Sequence, residues 1–332
     1  KHPHNMGIGA ARQSLLSSCL TDYGIWLDAD DMLLPGHVES LLEILQSGAD
    51  YAYSNAELFD AQKDERISTL EPAPELSFPD GIWWMFARNF IPMLGWPAVR
   101  ISVARKASYQ SNLRHAEDYA HLLRAIQKGA KVRFSHKVTY RQYHYSGSLS
   151  RQMGAHSESV SKILAGVNKQ WLENALQCSR VSRLDMCLIL SYFYNQQHAW
   201  GPAALWAEEA VNLCSEGAAK GGENRRGDAL FLYATALYQM GDIKDARAHF
   251  GTVSHMQGRA DALNNLGYLF VGAENHMALT PALATVVSGR QDAAASQEAA
   301  NESGAVSAKA CFEAALALMP HYSDARNNLA CI

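Results

Sequence analysis

The chain has 332 residues, of which 48% are hydrophobic and 19% charged, so it can bury a sizeable core and is not a disordered chain. With 29 basic against 33 acidic side chains, the formal net charge is -4, which excludes nucleic-acid binding driven by a broadly basic surface. The length predicts two domains of ordinary size. The six cysteines are widely spaced and predict free or buried thiols in a reducing compartment. We expect no signal peptide and no transmembrane segment, since no apolar run is long enough to span a bilayer.

The first 150 residues mix helix and strand patterns. Residues 10–20 predict a helix, and the apolar run 24–27 predicts a short, buried parallel strand. A helix from Pro35 to Gly48 and a strand at 49–54 follow. Strand, helix and strand within so short a stretch form a βαβ unit, so the predicted fold class is α/β.

The rest of this domain continues the mixed pattern. Prolines and acids over 60–80 predict a surface excursion. We then expect an aromatic helix at 81–89, a strand at 98–104, a helix at 117–128 and a strand at 131–143. These elements place the first domain at residues 1–152.

From about residue 155 the pattern becomes helical and repeats. Ala308, Phe312, Ala315 and Pro320 follow one another at +4, +7 and +12, which resembles the tetratricopeptide repeat of about 34 residues. We therefore expect a connecting helix at 153–183 and an all-α domain of tetratricopeptide-like repeats at 184–332, with a polar, alanine-rich insertion near 272–307. A helical bundle without repeats is the alternative.

Three carboxylates follow the first predicted strand within four residues, in the sequence Asp28-Ala29-Asp30-Asp31. At the carboxyl end of a parallel strand they would lie where α/β proteins bind ligands. Hard oxygen donors there suit Mg²⁺ or Mn²⁺ holding a diphosphate. The alternative is an acidic turn that caps the helix near Pro35.

Four segments in this order resemble the family 2 glycosyltransferases of the GT-A fold. They are residues 5–12 (NMGIGAAR), 25–35 (IWLDADDMLLP), 116–124 (AEDYAHLLR) and 140–150 (YRQYHYSGSLS). The resemblance covers residues 1 to about 150. It implies a GT-A-like domain whose opening strands precede Lys1, so that this chain by itself lacks one wall of the nucleotide pocket and can be inactive.

The resemblance implies a metal and nucleotide site around the carboxylates. Asp30 would bind the divalent Mn²⁺ or Mg²⁺ that bridges the diphosphate, with Asp31 and His144 as further metal contacts. Asp28 would face the ribose or assist the metal, and Arg12 would lie near the nucleotide-sugar. His144 taken alone is as readily a structural or surface histidine.

The resemblance also implies an inverting sugar transfer. Asp118 would be the catalytic base, with Glu117 beside it on the acceptor or donor side. Such a transfer needs a base for the acceptor hydroxyl and positive charge for the departing nucleoside diphosphate. In the alternative interpretation, Glu117 and Asp118 only stabilise the N-terminus of a helix, as acids in a first turn do. Trp96 could stack on a sugar or belong to the core.

Two other functions are compatible with the sequence. One is a non-catalytic tetratricopeptide interaction protein that keeps a degenerate or truncated transferase domain as a scaffold. The other is a haloacid-dehalogenase-type phosphatase, in which the first aspartate would be a nucleophile. The phosphatase needs a Gly-Thr-like turn after the carboxylates, whereas Met32-Leu33-Leu34-Pro35 follows here.

The transferase interpretation carries expectations about partners and location. We expect a nucleotide-sugar donor and an acceptor that is a carbohydrate, a lipid-linked glycan or a protein. Stacked helix pairs build a concave surface, so the repeats would bind a protein partner or another copy of the chain. The expected location is the bacterial cytoplasm, including its periphery at the inner membrane face.

Overall fold

The computed structural model describes residues 6–110, 113, 115–144, 153–215, 222–254, 256, 260–271 and 308–330. The chain divides into two units, Lys1–Val181 and Ser182–Ile332. The insertion predicted near 272–307 lies outside the described residues. Among the helices that are described, none is both long and apolar enough to cross a bilayer.

The first unit combines a six-stranded sheet with helices, which confirms the α/β class. Its elements are α1 (Ile8–Ser18), β1 (Tyr23–Ile25), β2 (Met32–Leu33), α2 (His37–Gln46), β3 (Tyr51–Asp60), β4 (Glu65–Leu70), β5 (Ala98–Arg100), α3 (Ile101–Ala107), α4 (Glu117–Gln127), β6 (Val132–His144), α5 (Met153–Ala165) and α6 (Lys169–Gln177). Two short 3₁₀ helices, Pro74–Ser77 and Gly81–Phe86, lie between β4 and β5.

The sheet is mixed and has β3 near its centre. The strand order is β1-β5-β3-β6-β2, with β4 paired to β3. Strands β3 and β6 run parallel from Tyr51 opposite Val132 to Asp60 opposite His144, and the other pairs are antiparallel. The first six residues of β3 are all buried, as expected for a strand covered on both faces.

The strand that precedes the acidic residues differs from the prediction. It covers Tyr23–Ile25 and pairs antiparallel with β5, where Ile25 lies opposite Ala98. Because β5 is also antiparallel to β3, strands β1 and β3 run in the same direction with β5 between them. The order β1, α2, β3 is therefore that of a βαβ unit, but β1 has no parallel neighbour in the described sheet.

Two further elements also differ from the prediction. The strand expected at 98–104 ends at Arg100 and continues as α3, whose buried residues Ile101, Ala104 and Ala107 have helical spacing. The aromatic helix expected at 81–89 is a 3₁₀ helix that ends at Phe86. The surface excursion at 60–80 includes a strand, β4, most of which is exposed.

Helix α2 covers one part of the sheet. Its Leu41 and Leu45 pack with Ala52 of β3 and Ala98 of β5, and all four side chains are essentially inaccessible. The helix ends at Gln46 with Ser47 as its C-cap, and Gly48 follows with a positive φ of 100°, which glycine adopts without strain. The predicted helix end at this glycine is confirmed.

Residues 153–177 form two helices, where the sequence predicted one connecting helix over 153–183. Asn168 separates them, because its side chain accepts a hydrogen bond of 2.8 Å from the backbone N–H of Trp171 and so begins α6. The indole of Trp171 packs 5.9 Å from that of Trp83, measured between ring centroids. Both helices belong to the first unit.

The described part of the second unit is entirely helical. It contains α7 (Arg183–Gln196), α8 (Trp200–Ser215), α9 (Gly222–Met240), α10 (Ile243–Ser254), α11 (Ala260–Val271), α12 (Ala308–Leu318) and α13 (Ser323–Ala330). Successive helices pack against each other. Alanines are fully buried in α8, α9 and α10, and so are Phe250 and Phe312. The tetratricopeptide character of these helix pairs remains a prediction.

Gly267 is a point of close approach between α11 and α12. A Cβ atom at this position would lie 2.7 Å from Cε1 of Phe312 and 3.1 Å from Cβ of Cys311. We expect Gly267→Ala to lower the free energy of unfolding by about 1–3 kcal/mol, because the aromatic ring must shift within a packed core. Urea titration followed by circular dichroism measures the loss.

The matched control is Gly251→Ala in α10, where a Cβ atom would meet nothing within 4 Å. Alanine favours a helix over glycine, so this variant should be stabilised by up to ~1 kcal/mol. Equal effects of the two substitutions would contradict the proposed role of Gly267.

Candidate active site

Arg12 is the buried cation of the candidate site. Its side chain is 7% exposed, and Nη2 lies 3.5 Å from Oδ1 of Asp28 while Nε lies 3.8 Å from Oε1 of Glu117. Burial opposes the charge, but Asp118, Tyr109, Glu117 and Asp28 outweigh it and raise the Arg12 pKa. The guanidinium therefore stays charged and connects α1 with the carboxylates that follow β1 and begin α4.

Residues 28–31 form the acidic turn, in which the N–H of Asp31 donates to the carbonyl of Asp28 over 3.2 Å. The Asp28 carboxylate accepts from Arg12 and, over 2.9 Å, from Nε1 of Trp96. The Asp31 carboxylate accepts from the Tyr140 hydroxyl over 2.8 Å and from the backbone N–H of Tyr143 over 3.0 Å. The carboxylates of Asp28 and Asp31 are thus held by different partners.

Burial raises the pKa of Asp31 to about 6, with the charges of Asp30 and Asp28 adding to the shift and the Tyr140 hydrogen bond opposing it. Asp30 itself is exposed. Adjacent carboxylates that hinder each other's ionisation form a site where a cation is favourable. Asp30 is therefore the carboxylate of the turn that a hard divalent ion would meet, since Asp28 and Asp31 are both engaged in hydrogen bonds.

The predicted metal contacts Asp30, Asp31 and His144 do not form a ready three-ligand group among the described residues. In the part of the chain that the structure describes, no group of three or more His, Cys, Asp or Glu side chains could hold a metal ion. His144 is at the end of β6, opposite Asp60 of β3. Asp31 is bound to Tyr140 and Tyr143, so it secures the turn to β6.

Glu117 and Asp118 are adjacent in sequence but lie in different environments at the start of α4. Glu117 is 6% exposed, and burial raises its pKa to about 7, with the Asp118 charge adding to the shift and Arg12 opposing it. Asp118 is half-buried, and its Oδ1 accepts a 2.7 Å hydrogen bond from the N–H of Tyr119. Of the two, Glu117 is the carboxyl group that burial makes harder to ionise, and Asp118 is the more accessible one.

The raised pKa of Glu117 makes stability depend on pH. The buried side chain is harder to ionise than in the unfolded chain. Its contribution to the free energy of unfolding is therefore complete below about pH 4.5 and is lost as the pH rises through about 7. Between pH 5.5 and 8.5 the free energy of unfolding of the wild type should fall by about 2 kcal/mol because of Glu117, and we expect this fall to be absent in Glu117→Gln. Urea titrations of wild type and variant at these two pH values measure the difference.

Glu65→Gln is the matched control for this pH dependence. The Glu65 side chain is 62% exposed on β4, where it pairs with Lys63. Its removal should leave the pH profile of stability unchanged, since exposed pairs contribute little. A Glu117→Gln profile that follows wild type would show that Glu117 is ionised throughout this range.

Three site residues were missed from the sequence or were ambiguous there. Trp96 and Tyr140 stack with ring centroids 4.3 Å apart and an angle of 11° between their planes. A Cβ atom at Gly95 would lie 3.4 Å from Nη2 of Arg12 and 3.5 Å from an Asp118 oxygen. No local pattern reveals these contacts, because the partners come from segments far apart in the chain.

The site does not coincide with two sizeable clefts of the first unit. A cleft of about 610 Å³ borders β1 and α2 and is mainly apolar, with Tyr23, Ile25 and Leu42 among its lining residues. Another of about 520 Å³ lies between Phe78 and Phe134. Neither cleft is lined by the acidic turn or by the acids of α4.

Residues 1–98 match the family model described as glycosyl transferase family 2. The match includes Arg12 and the acidic turn, so it confirms the resemblance over this part and supports a glycosyltransferase domain in the first unit. The acids of α4 and His144 lie beyond the matched residues. Comparison with curated proteins gives no match.

Among solved structures, the chain is similar to one described as the crystal structure of S. aureus TarS. The two are 12% identical and superimpose with a TM-score of 0.40. The likeness covers 84% of this chain and 45% of that one, so this chain spans less than half the length of its structural neighbour.

Proposed function

We propose that the first unit transfers a sugar from a nucleotide-sugar donor to a hydroxyl group of an acceptor, with inversion at the anomeric carbon. The observation that carries this proposal is the cluster around Arg12, in which the acidic turn of the matched segment meets the two acids of α4. The carboxylates that face the nucleotide-sugar donor and those that face the acceptor would then lie next to each other.

Each carboxylate has a separate task in the proposed reaction. Asp118 accepts the proton of the acceptor hydroxyl as that oxygen attacks the anomeric carbon. Glu117, which pairs with Arg12, lies beside Asp118 and helps to hold it in place. Asp28, oriented by Arg12 and Trp96, faces the nucleotide of the donor.

Asp30 would hold a divalent Mn²⁺ or Mg²⁺, because it is the exposed carboxylate of the acidic turn. Such an ion supplies positive charge for the diphosphate that leaves the sugar. Asp31 would contribute mainly by securing the turn through Tyr140 and Tyr143. We propose no metal contact for His144.

The helical second unit would bind a protein partner or a second copy of the chain, or would position the acceptor. A non-catalytic scaffold is the competing proposal. The phosphatase is disfavoured, because its nucleophile would be Asp28, whose two oxygens accept from Arg12 and Trp96.

Nucleotide release in the presence of Mn²⁺ tests the proposed function. The chain is incubated with UDP-, GDP- and dTDP-sugars and candidate acceptors. We expect release with at least one donor and its loss in Asp30→Ala, whereas Asp22→Ala, which removes an exposed carboxylate before β1, should have no effect. Peptide binding without any release would favour the scaffold, and phosphate release from simple esters would favour the phosphatase.

A further inference from the structure

Two aromatic residues contact opposite ends of the acidic turn. Trp96 donates its indole N–H to Asp28, and Tyr140 donates its hydroxyl to Asp31. Their rings stack on each other, so the two hydrogen bonds belong to one aromatic unit. Trp96 is 6% exposed and Tyr140 1% exposed, which fixes both rings by packing.

We propose that Trp96 and Tyr140 are positioning residues that hold the acidic turn from both ends and leave Asp30 as its accessible carboxylate. This inference rests on the proposed function and names residues of the same site. Neither aromatic residue takes part in the chemical step. Together they determine which of the three carboxylates is available to a ligand.

The chemistry of the two donors suits this role. Three carboxylates within four residues repel one another, so the turn needs partners that keep the outer two in place. An indole N–H and a phenol O–H provide hydrogen bonds without adding positive charge, so they do not compete with a bound cation. Arg12 already brings one positive charge to Asp28, and the two aromatic donors add their hydrogen bonds without a second one.

The sheet provides a rigid support for this arrangement. Tyr140 lies on β6, opposite Leu33 of β2 and Ala56 of β3, and Trp96 lies in the loop before β5, separated from it by Pro97. Groups fixed on strands hold a site more tightly than groups on loops. Buried indole N–H and phenol O–H groups need hydrogen-bond partners, and here both partners are carboxylates of one turn.

Conservative variants separate this role from simple packing. Trp96→Phe and Tyr140→Phe keep an aromatic ring but remove one hydrogen bond each. We expect each variant to speed amide exchange of the acidic turn roughly tenfold, because a hydrogen bond to a charged group is lost. We also expect each to weaken the binding of Mn²⁺ alone by roughly tenfold, measured by electron paramagnetic resonance.

Tyr51→Phe is the matched control. It removes a buried hydroxyl that bonds to Nε2 of His121 over 2.7 Å in the same sheet, away from the acidic turn. It should change neither the exchange of the turn nor Mn²⁺ binding. Circular dichroism confirms that all variants are folded.

The outcomes distinguish this inference from the proposed function. Unchanged amide exchange in both site variants would overturn the positioning role. Faster exchange with unchanged Mn²⁺ affinity would also overturn it, because the pair would then support the fold alone. Absence of Mn²⁺ binding in the wild-type chain would contradict the metal part of the proposed function, and the exchange rates would then decide the positioning role.

Discussion

Replacing Asp118 with asparagine is expected to lower kcat for sugar transfer by roughly 10²–10⁴-fold, the usual contribution of a general base. Asparagine has the same shape and can still accept the N–H of Tyr119, so the start of α4 should be preserved. It cannot accept the proton of the acceptor hydroxyl. Steady-state kinetics with a donor identified by nucleotide release measure the loss, and calorimetry checks the fold.

The neighbouring acid provides the comparison for this prediction. Glu117→Gln should reduce kcat less than Asp118→Asn, since the Glu117 side chain is buried against Arg12 whereas Asp118 is more accessible to an acceptor. Asp22→Asn, an exposed carboxylate outside the site, controls for a general effect of charge. If Glu117→Gln were the more damaging of the two, the base would be Glu117.

Replacing Arg12 with methionine is expected to have the largest effect on stability. The side chains of Arg12 and Glu117 are 7% and 8% exposed, so the guanidinium balances carboxylates that have little access to water. At pH 8.5, where Glu117 is ionised, removing one partner of a buried pair costs about 3–5 kcal/mol, because the other charge is left uncompensated. Urea unfolding measured by tryptophan fluorescence tests this value.

A double variant identifies the source of the destabilisation. Arg12→Met combined with Glu117→Gln should be more stable than Arg12→Met alone, since the second change removes the uncompensated carboxylate. Arg66→Met, in the exposed part of β4, should have an effect below about 0.5 kcal/mol. Strictly additive effects of the Arg12 and Glu117 substitutions would contradict the coupling.

Local signals account for the parts of the fold that the sequence predicts. Helix α2 follows from the spacing of Leu41 and Leu45 and from Gly48, and all of this information lies within one short segment. Helix α4 and strand β6 are predicted for the same reason. The two-helix form of 153–177 also has a local signal, the capping residue Asn168, which the prediction did not use.

Strand direction depended on partners that are distant in the chain. The run at 24–27 has the composition of a buried strand, but its neighbour β5 begins only at Ala98 and approaches it antiparallel. A short apolar run looks the same beside a parallel or an antiparallel neighbour. The continuation of β5 into α3 is a related case. Both elements bury apolar residues, so the composition of 98–104 does not show where the strand ends and the helix begins.

The sequence by itself determined the 332-residue length, the two-domain expectation, the α/β character of the first unit and the identity of the acidic residues. These features depend on composition and on short segments. The tertiary structure alone decided how the carboxylates differ. Asp28 meets Trp96 across 68 positions and Asp31 meets Tyr140 across 109, and burial raises the pKa of Glu117. Hydrogen bonding and desolvation act through space, so identical side chains acquire different roles only once the chain has folded.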